Sequence, residues 1–248
     1  VGDPEIIMVI KMKTEAAKLN VVQLLSGGMD SVTCLYHVVK EHNVVGCISF
    51  DYGSIHNQKE IPFAQYHCKM LEIPHMIIPL KFIGEHWKSA LVGSEEIPEG
   101  HYEEKTMKST VVPFRNGIML SISTGWAESK GAEALVIAAH AGDHAIYPDC
   151  REAFMEVMGD AMRLGTYAHI HLMRPFIRLT KADIASRGYE LGVDFTMTWS
   201  CYKAGIKHCG RCGTCVERRE AFMLSKLNDP TEYEHEDALP PRPPVTYV

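Results

Sequence analysis

Two sets of residues in this sequence have the types and spacing for chemistry. The first is Leu25-Ser26-Gly27-Gly28-Met29-Asp30-Ser31, which follows the apolar run Val21 to Leu25 and precedes a helix-like run to Lys40. Strand, glycine turn and helix together aim the unpaired N–H groups of a helix's first turn at an anion such as phosphate, with the positive end of the helix dipole behind them. Gly27 and Gly28 carry no Cβ and let the turn close tightly. Ser26 and Ser31 can add hydroxyl donors. Asp30 is the odd member. A carboxylate beside a phosphate repels it unless a cation lies between them, so Asp30 points to magnesium. The plain alternative is an ordinary strand-to-helix turn. The stretch is not a Walker A loop, and the chain has neither Gly-x-x-x-x-Gly-Lys-Ser/Thr nor Gly-x-Gly-x-x-Gly.

The second set is Cys201, Cys209, Cys212 and Cys215, with Gly205, Gly210 and Gly213 between them. Four thiolates fill a tetrahedral zinc shell and leave no position open for water, so a zinc here is structural. An iron–sulfur cluster is the alternative, although Arg219 and Glu220 stand where a ferredoxin run would place its next Cys and Pro. Cys34, Cys47, Cys68 and Cys150 are scattered. That distribution fits a reducing cytoplasm and one metal site better than a disulfide framework.

The elements that must position these residues read as strand and helix in alternation. Strands are expected over 20–26, 44–50, 75–80, 134–139 and 169–179. Helices are expected over 31–40, 58–72, from Arg115 and Asn116 to about Lys130, from Tyr147-Pro148-Asp149-Cys150-Arg151 onward, from Thr180 to about Leu191, and over 216–226. This pattern predicts a parallel α/β sheet. Ligands of such sheets sit outside the carboxyl ends of the strands. Phe50 and Tyr52 therefore lie near a nucleotide base, and Asp51 is either a base contact or a turn residue. Asp143 and His144 follow the end of a later strand and are candidates for substrate or metal. Arg115 and Arg151 fall in first turns, where a cation opposes the dipole, so each calls for an anion from elsewhere. Asp149 is read as the cap of its own helix. The polar stretch 84–108 is either a cover over the site or a solvated insertion.

The 248 residues suffice for one large domain and a small module, and 46% hydrophobic content supports a substantial core. The net charge of −6 argues against a nucleic-acid surface. No apolar run approaches the ~20 residues of a membrane span, and Val1-Gly2-Asp3-Pro4 does not start like a secretion signal. The tail from Asp229 is acidic and ends near Pro240-Pro241-Arg242-Pro243-Pro244, so it is mobile or laid across a neighbouring surface.

The first set matches the Ser-Gly-Gly-x-Asp-Ser signature of the PP-loop ATP pyrophosphatases, which transfer AMP to a substrate oxygen and release pyrophosphate. With Phe50-Asp-Tyr-Gly53, Val112-Pro-Phe-Arg-Asn116, Tyr147-Pro-Asp-Cys-Arg151 and the cysteine cluster, residues 21–227 resemble the 7-cyano-7-deazaguanine synthase family. Two departures stand out. Phe114 occupies a position where many relatives carry Gly, and Ala139-His-Ala-Gly-Asp143 replaces a common Glu-Thr-Asp. The resemblance implies a Rossmann-like, adenine nucleotide alpha hydrolase-like parallel sheet flanked by helices over 18–200, a four-cysteine zinc module over 201–228, and an extended tail over 229–248. It implies that ATP with Mg2+, ammonia and 7-carboxy-7-deazaguanine are the substrates of a cytoplasmic homodimer that binds no nucleic acid. ATP is then expected on Leu25, Ser26, Gly27, Gly28, Met29, Asp30, Ser31, Val32, Thr33, Cys34 and Leu35, with Phe50 and Tyr52. Asp30, Arg115, Arg151 and Asp143 are the expected catalytic residues, and Cys201, Cys209, Cys212 and Cys215 the expected zinc ligands.

Overall fold

The structure, a computed structural model, describes residues 17–93 and 95–241. The readings at Val1-Gly2-Asp3-Pro4 and at 242–248 lie outside the described residues. Five strands form one parallel sheet in the order β3-β2-β1-β4-β5: β1 (Asn20–Leu24), β2 (Asn43–Asp51), β3 (His75–Pro79), β4 (Ala134–Val136) and β5 (His171–Met173). Period-two alternation divides the strands between two cores. Val21, Ala134 and Val136 face one side, with helices α1 (Met29–Glu41), α2 (Asn57–Met70), α5 (Lys181–Glu190) and α6 (Gly213–Ser225) contributing to that core. Val22 and Leu135 face the other, with α3 (Arg115–Ser129) and α4 (Glu152–Gly165). The chain builds outward from β1 to β3, then returns to place β4 against β1. That reversal opens a crevice between the ends of β1 and β4, where such sheets take ligands.

Three expected elements differ. The strand read over 134–139 ends at Val136. The strand read over 169–179 is only His171–Met173. His169 adopts a left-handed φ of 52° at one end. At the other, Pro175 brings no N–H and the chain turns, with Ile177 N–H on Arg174 O at 3.2 Å. Arg174 and Arg178 thereby leave the sheet and pair with Glu156 and Glu152 of α4. The helix read from Tyr147 begins as a 3-10 turn over Pro148–Cys150, and α4 starts at Glu152. Asp149 caps a different helix from its own: its Oδ2 accepts the Asn116 N–H of α3 at 2.8 Å. That helix needs the help. Its N-cap is Phe114, held at a left-handed φ of 55° that supplies no side-chain cap and suits glycine better. Contact with Phe154 at 5.7 Å between ring centres, and the absence of a side chain on Gly117 beneath the ring, hold Phe114 there.

Arg218 of α6 is fully buried. It donates to Thr198 Oγ1 (2.8 Å), Ser200 Oγ (3.2 Å) and Phe195 O (2.9 Å) and lies over the Phe222 ring. One guanidinium thus ties the last helix to the 195–200 segment. Arg218→Ala removes all three of these charge-assisted hydrogen bonds, leaving Phe195 O with only the Thr198 hydroxyl at 2.9 Å, and should cost about 3–5 kcal/mol of stability in urea unfolding.

Candidate active site

The crevice is a cleft of ≈ 240 Å³ lined by residues from the β1–α1 turn, the end of β2, α2, the start of α3, the segment after β4, Lys181, and the cysteine segment. The glycine turn is held by its own hydroxyls. Ser31 Oγ accepts from Ser26 N–H (3.2 Å) and Gly27 N–H (3.3 Å) and donates to Gly28 O (3.1 Å), while Ser26 Oγ accepts from Gly28 N–H at 3.0 Å. The Ser31 hydroxyl is therefore spent on the turn's shape, while the exposed Ser26 keeps its proton for Ser31 Oγ or for a ligand. Gly27 has φ 99°, and a Cβ there would run into the Glu60 carbonyl of α2, so glycine is required on both counts. No side chain caps α1. Its first-turn residues Met29, Asp30 and Ser31 line the cleft, an arrangement whose N–H groups could take an anion.

Lys181, the first residue of α5, is the cation at Asp30. Its Nζ lies 2.5 Å from Asp30 Oδ2 and 3.2 Å from Glu217 Oε2 of α6. His140 Nε2 stands 3.4 Å from the same Nζ, with Asp143 3.5 Å beyond. Burial opposes charge on Asp30, yet Lys181 and His140 outweigh it and hold this carboxyl below its ordinary range. Burial also opposes charge on Lys181, and Asp30 and Glu217 reverse that, so the ammonium is kept. Burial raises Glu217 despite Lys181. Asp30 Oδ1 is buried and makes no hydrogen bond among the described residues, so one carboxylate lone pair remains for a metal ion. The same first-turn logic that singles out Arg115 and Arg151 applies to Lys181, whose sequence signal was equally present.

At the other end stands Arg115. Its NH1 donates to Tyr52 OH at 3.1 Å and its guanidinium lies over that ring at 5.5 Å. Tyr102, Tyr202 and Asn116 line the same end, and no carboxylate among the described residues is within ion-pairing distance of Arg115. Burial works against its charge, but the surrounding phenols and Asp149 hold it fully protonated. Tyr102 comes from the 84–108 stretch and donates to Asp143 Oδ1 at 3.2 Å. That stretch therefore walls the site, with Leu91 and Met107 buried beneath.

The structure sorts the expected nucleotide and catalytic residues. Leu25, Ser26, Gly28, Met29, Asp30, Ser31, Phe50, Tyr52, Arg115 and Asp143 line the cleft. Gly27 shapes it from behind. Val32, Thr33, Cys34 and Leu35 do not reach it: they are fully buried where α1 packs on the sheet. Arg151 is set apart as well, exposed at the N-cap of α4 with its Nε on His144 O at 3.0 Å. Asp51 is a turn residue, accepting from Gly53 N–H at 3.3 Å and facing Lys81. Glu60, Lys181, Trp199, Tyr202 and Glu217 line the cleft and were not singled out by the sequence.

The four cysteine sulfurs lie within 4.8 Å of one another, all buried. Cys209 to Cys215 is 3.9 Å and Cys201 to Cys212 is 4.0 Å, close to the roughly 3.8 Å edge of a tetrahedron with metal–sulfur bonds of about 2.3 Å. Backbone N–H groups of Cys209, Arg211 and Cys212 donate to the sulfurs, as suits thiolates. The cluster could thus hold one metal ion. Its ligands interleave with cleft residues: Trp199, Ser200 and Tyr202 flank Cys201, and Thr214 and Glu217 flank Cys215. The tail crosses the outside of this segment, with Arg211 on Asp237 (2.6 Å) and Tyr233 bridging to His208.

Residues 20–226 match the family model described as Queuosine biosynthesis protein QueC. A 7-cyano-7-deazaguanine synthase of Porphyromonas gingivalis is 53% identical over 85% of this chain and 96% of its own. One from Caldicellulosiruptor bescii is 50% identical over 88% and 99%. Among solved structures, an NMN synthetase from Francisella tularensis aligns at TM-score 0.46 and 15% identity, over 85% of this chain and 79% of that one.

Two outcomes follow from the geometry. Loss of a cysteine ligand should cost more than stability: Cys212→Ser should lose bound metal and, by loosening Trp199 to Glu217, weaken ATP binding about tenfold or more, read by metal content and calorimetry together. Glu60 offers a pH test. Burial raises its carboxyl from 4.5 to about 8. Unfolded chains therefore ionise first, and folding stability falls as pH rises from 4.5 toward 8. Glu60→Gln should melt higher than the wild type at pH 8, and the gap should close as pH falls toward 4.5.

Proposed function

This chain belongs to the Queuosine biosynthesis protein QueC family, and on that footing we propose that it is an ATP-dependent 7-cyano-7-deazaguanine synthase. It converts 7-carboxy-7-deazaguanine and ammonia to the nitrile through an amide. The carrying observation is the cleft's two-ended charge: an uncapped helix N-terminus with Asp30 and Lys181 at one end, and Arg115 without a carboxylate partner at the other.

The assignment of roles follows from the chemistry. Hydroxide and oxide are poor leaving groups, and AMP is a good one. A carboxylate oxygen attacks the α-phosphorus of ATP, the bond to pyrophosphate breaks, and an acyl-adenylate results. Ammonia then displaces AMP to give the amide. A second ATP activates the amide oxygen, and loss of AMP with two N–H protons leaves the nitrile. The protein's task is alignment and charge neutralisation. The α1 N-terminus holds the β- and γ-phosphates, and Phe50 and Tyr52 border the base. Arg115 binds the substrate carboxylate among Tyr52, Tyr102 and Tyr202, and Asp143 faces the heterocycle. Asp30 Oδ1 would hold Mg2+, which supplies charge neutralisation at the phosphates. Arg151 has no role in this assignment.

The four thiolates would hold Zn2+, which serves as a fixed cross-link. Residues 18–200 then form the nucleotide-binding unit, 201–228 the zinc module, and the tail its strap. The thiol-rich composition supports a cytoplasmic setting and the acidic net charge a small-molecule role without nucleic acid. Among the described residues no helix is long and apolar enough to cross a membrane. The homodimer carried by the family resemblance has exposed Val157 and Leu164 of α4 as its candidate contact.

Incubation with ATP, ammonium and 7-carboxy-7-deazaguanine should release two AMP and two pyrophosphate per nitrile by mass spectrometry. Accumulating amide would instead mark an enzyme that stops halfway. Asp30→Ala should abolish pyrophosphate release in a folded protein. Arg115→Met should raise KM for the carboxylated base roughly 10- to 100-fold, as expected for one lost charge-assisted contact.

A further inference from the structure

Four carboxylates line the cleft: Asp30, Glu60, Asp143 and Glu217. Three are engaged. Asp30 and Glu217 bind Lys181, and Asp143 accepts from Tyr102 and faces His140. Glu60 and Asp143 have no Lys or Arg within ion-pairing distance among the described residues, but Asp143 accepts the Tyr102 hydroxyl, whereas the Glu60 carboxylate has no such donor. Its neighbour is His56 Nε2 at 3.7 Å, an imidazole that burial holds at about 3 and therefore neutral.

The placement of Glu60 is specific. It sits in the first turn of α2 with its backbone carbonyl against Gly27 and its Oε1 3.6 Å from where a Cβ on Gly28 would lie. Trp199 stands beside it in the cleft wall. The charges of Arg115 on α3 and Asp30 on α1 both act on it, so it lies between the substrate end and the phosphate end. Lys59, its neighbour on α2, is turned onto the Trp199 ring, and Tyr202 opposite is kept neutral by burial. The acyl carbon of an acyl-adenylate must lie between those same two ends.

We propose that Glu60 is the catalytic base for the nitrogen steps, taking a proton from the incoming ammonia. The assignment rests on the synthase reading given above. As nitrogen bonds to the acyl carbon, the carbon–oxygen bond to AMP breaks with its electron pair on the AMP phosphate. One N–H proton passes to the Glu60 carboxylate. Acyl-adenylate, ammonia and carboxylate become amide, AMP and the Glu60 acid, which returns its proton to solvent. The same group can take an amide proton in the nitrile step. Burial places its ionisation at about 8, near the pH at which a base is both available and strong enough.

The test separates adenylation from amidation in the full-length protein. Substrate-dependent exchange of labelled pyrophosphate into ATP needs no nitrogen; amide formation at fixed free ammonia does. In Glu60→Gln, exchange should persist while amide formation falls about 100-fold, and the wild-type rise in amidation through about pH 8 should vanish. Glu60→Asp should restore part of the rate. Amidation at wild-type rate in Glu60→Gln, or equal loss of exchange and amidation, would overturn the assignment. Absence of exchange in the wild-type protein would instead sink the synthase reading and the base with it.

Discussion

The site depends on one buried ammonium. Lys181 bridges Asp30 at the start of α1 and Glu217 on α6, so three segments far apart in sequence meet at a single charge. Each carboxylate alone would be costly in this cleft, and the lysine alone would be too. Together they are held in the geometry that the phosphate end needs. The pairing also explains how a carboxylate can sit in an anion site at all. Lys181 answers Asp30 Oδ2, and Oδ1 is buried without a hydrogen bond among the described residues.

That constraint gives the cysteine cluster its place in the chemistry. A structural metal is often a remote staple, but here the ligands alternate with lining residues. Cys212 is the N-cap of α6, and Thr214 and Glu217 lie within its first turns. Arg218, next to Glu217, anchors the same helix to the segment carrying Trp199 and Ser200. Fixing the four sulfurs therefore fixes the angle at which Glu217 reaches Lys181. The bridge between Glu99 and Cys212 and the tail contact through Asp237 hold the cluster from outside.

Much of this was legible before any coordinates. All five strands, the glycine turn and the four clustered cysteines carry local signals: apolar runs, paired glycines and short cysteine spacings. What escaped was set by tertiary contact. The strand over 169–179 reads as continuous because Leu172, Met173, Phe176 and Ile177 are apolar, but Phe176 and Ile177 are buried by a turn after Pro175. Asp149 looks like a local cap and instead caps α3 across the fold, since Phe114 cannot. Glu217 and Glu60 resemble ordinary surface helix residues, and only the packing of α2 against the β1–α1 turn and of α6 against α5 turns them inward. Arg115 and Arg151 share one sequence signal, but a 3-10 turn before α4 sends Arg151 to solvent.

The two ends of the cleft differ in how their charge is balanced, and that difference orders the reaction. At the phosphate end the protein carries its own counter-charges, so an arriving polyphosphate must share Lys181 with Asp30. At the other end Arg115 has hydroxyls but, among the described residues, no carboxylate within ion-pairing distance, so an acidic substrate would supply the missing charge itself. Once carboxylate and α-phosphate have joined, the anion proposed to sit on Arg115 would be spent in a mixed anhydride. Its hold there would weaken, leaving the acyl carbon beside Glu60, whose ion-pairing neighbour among the described residues is the neutral His56. A paired carboxylate in that position would be a poor proton acceptor, because its cation lowers its basicity. Among the described residues Glu60 has no lysine or arginine within ion-pairing distance, which is what would suit this wall of the cleft, on the proposal above, to nitrogen chemistry rather than to binding phosphate.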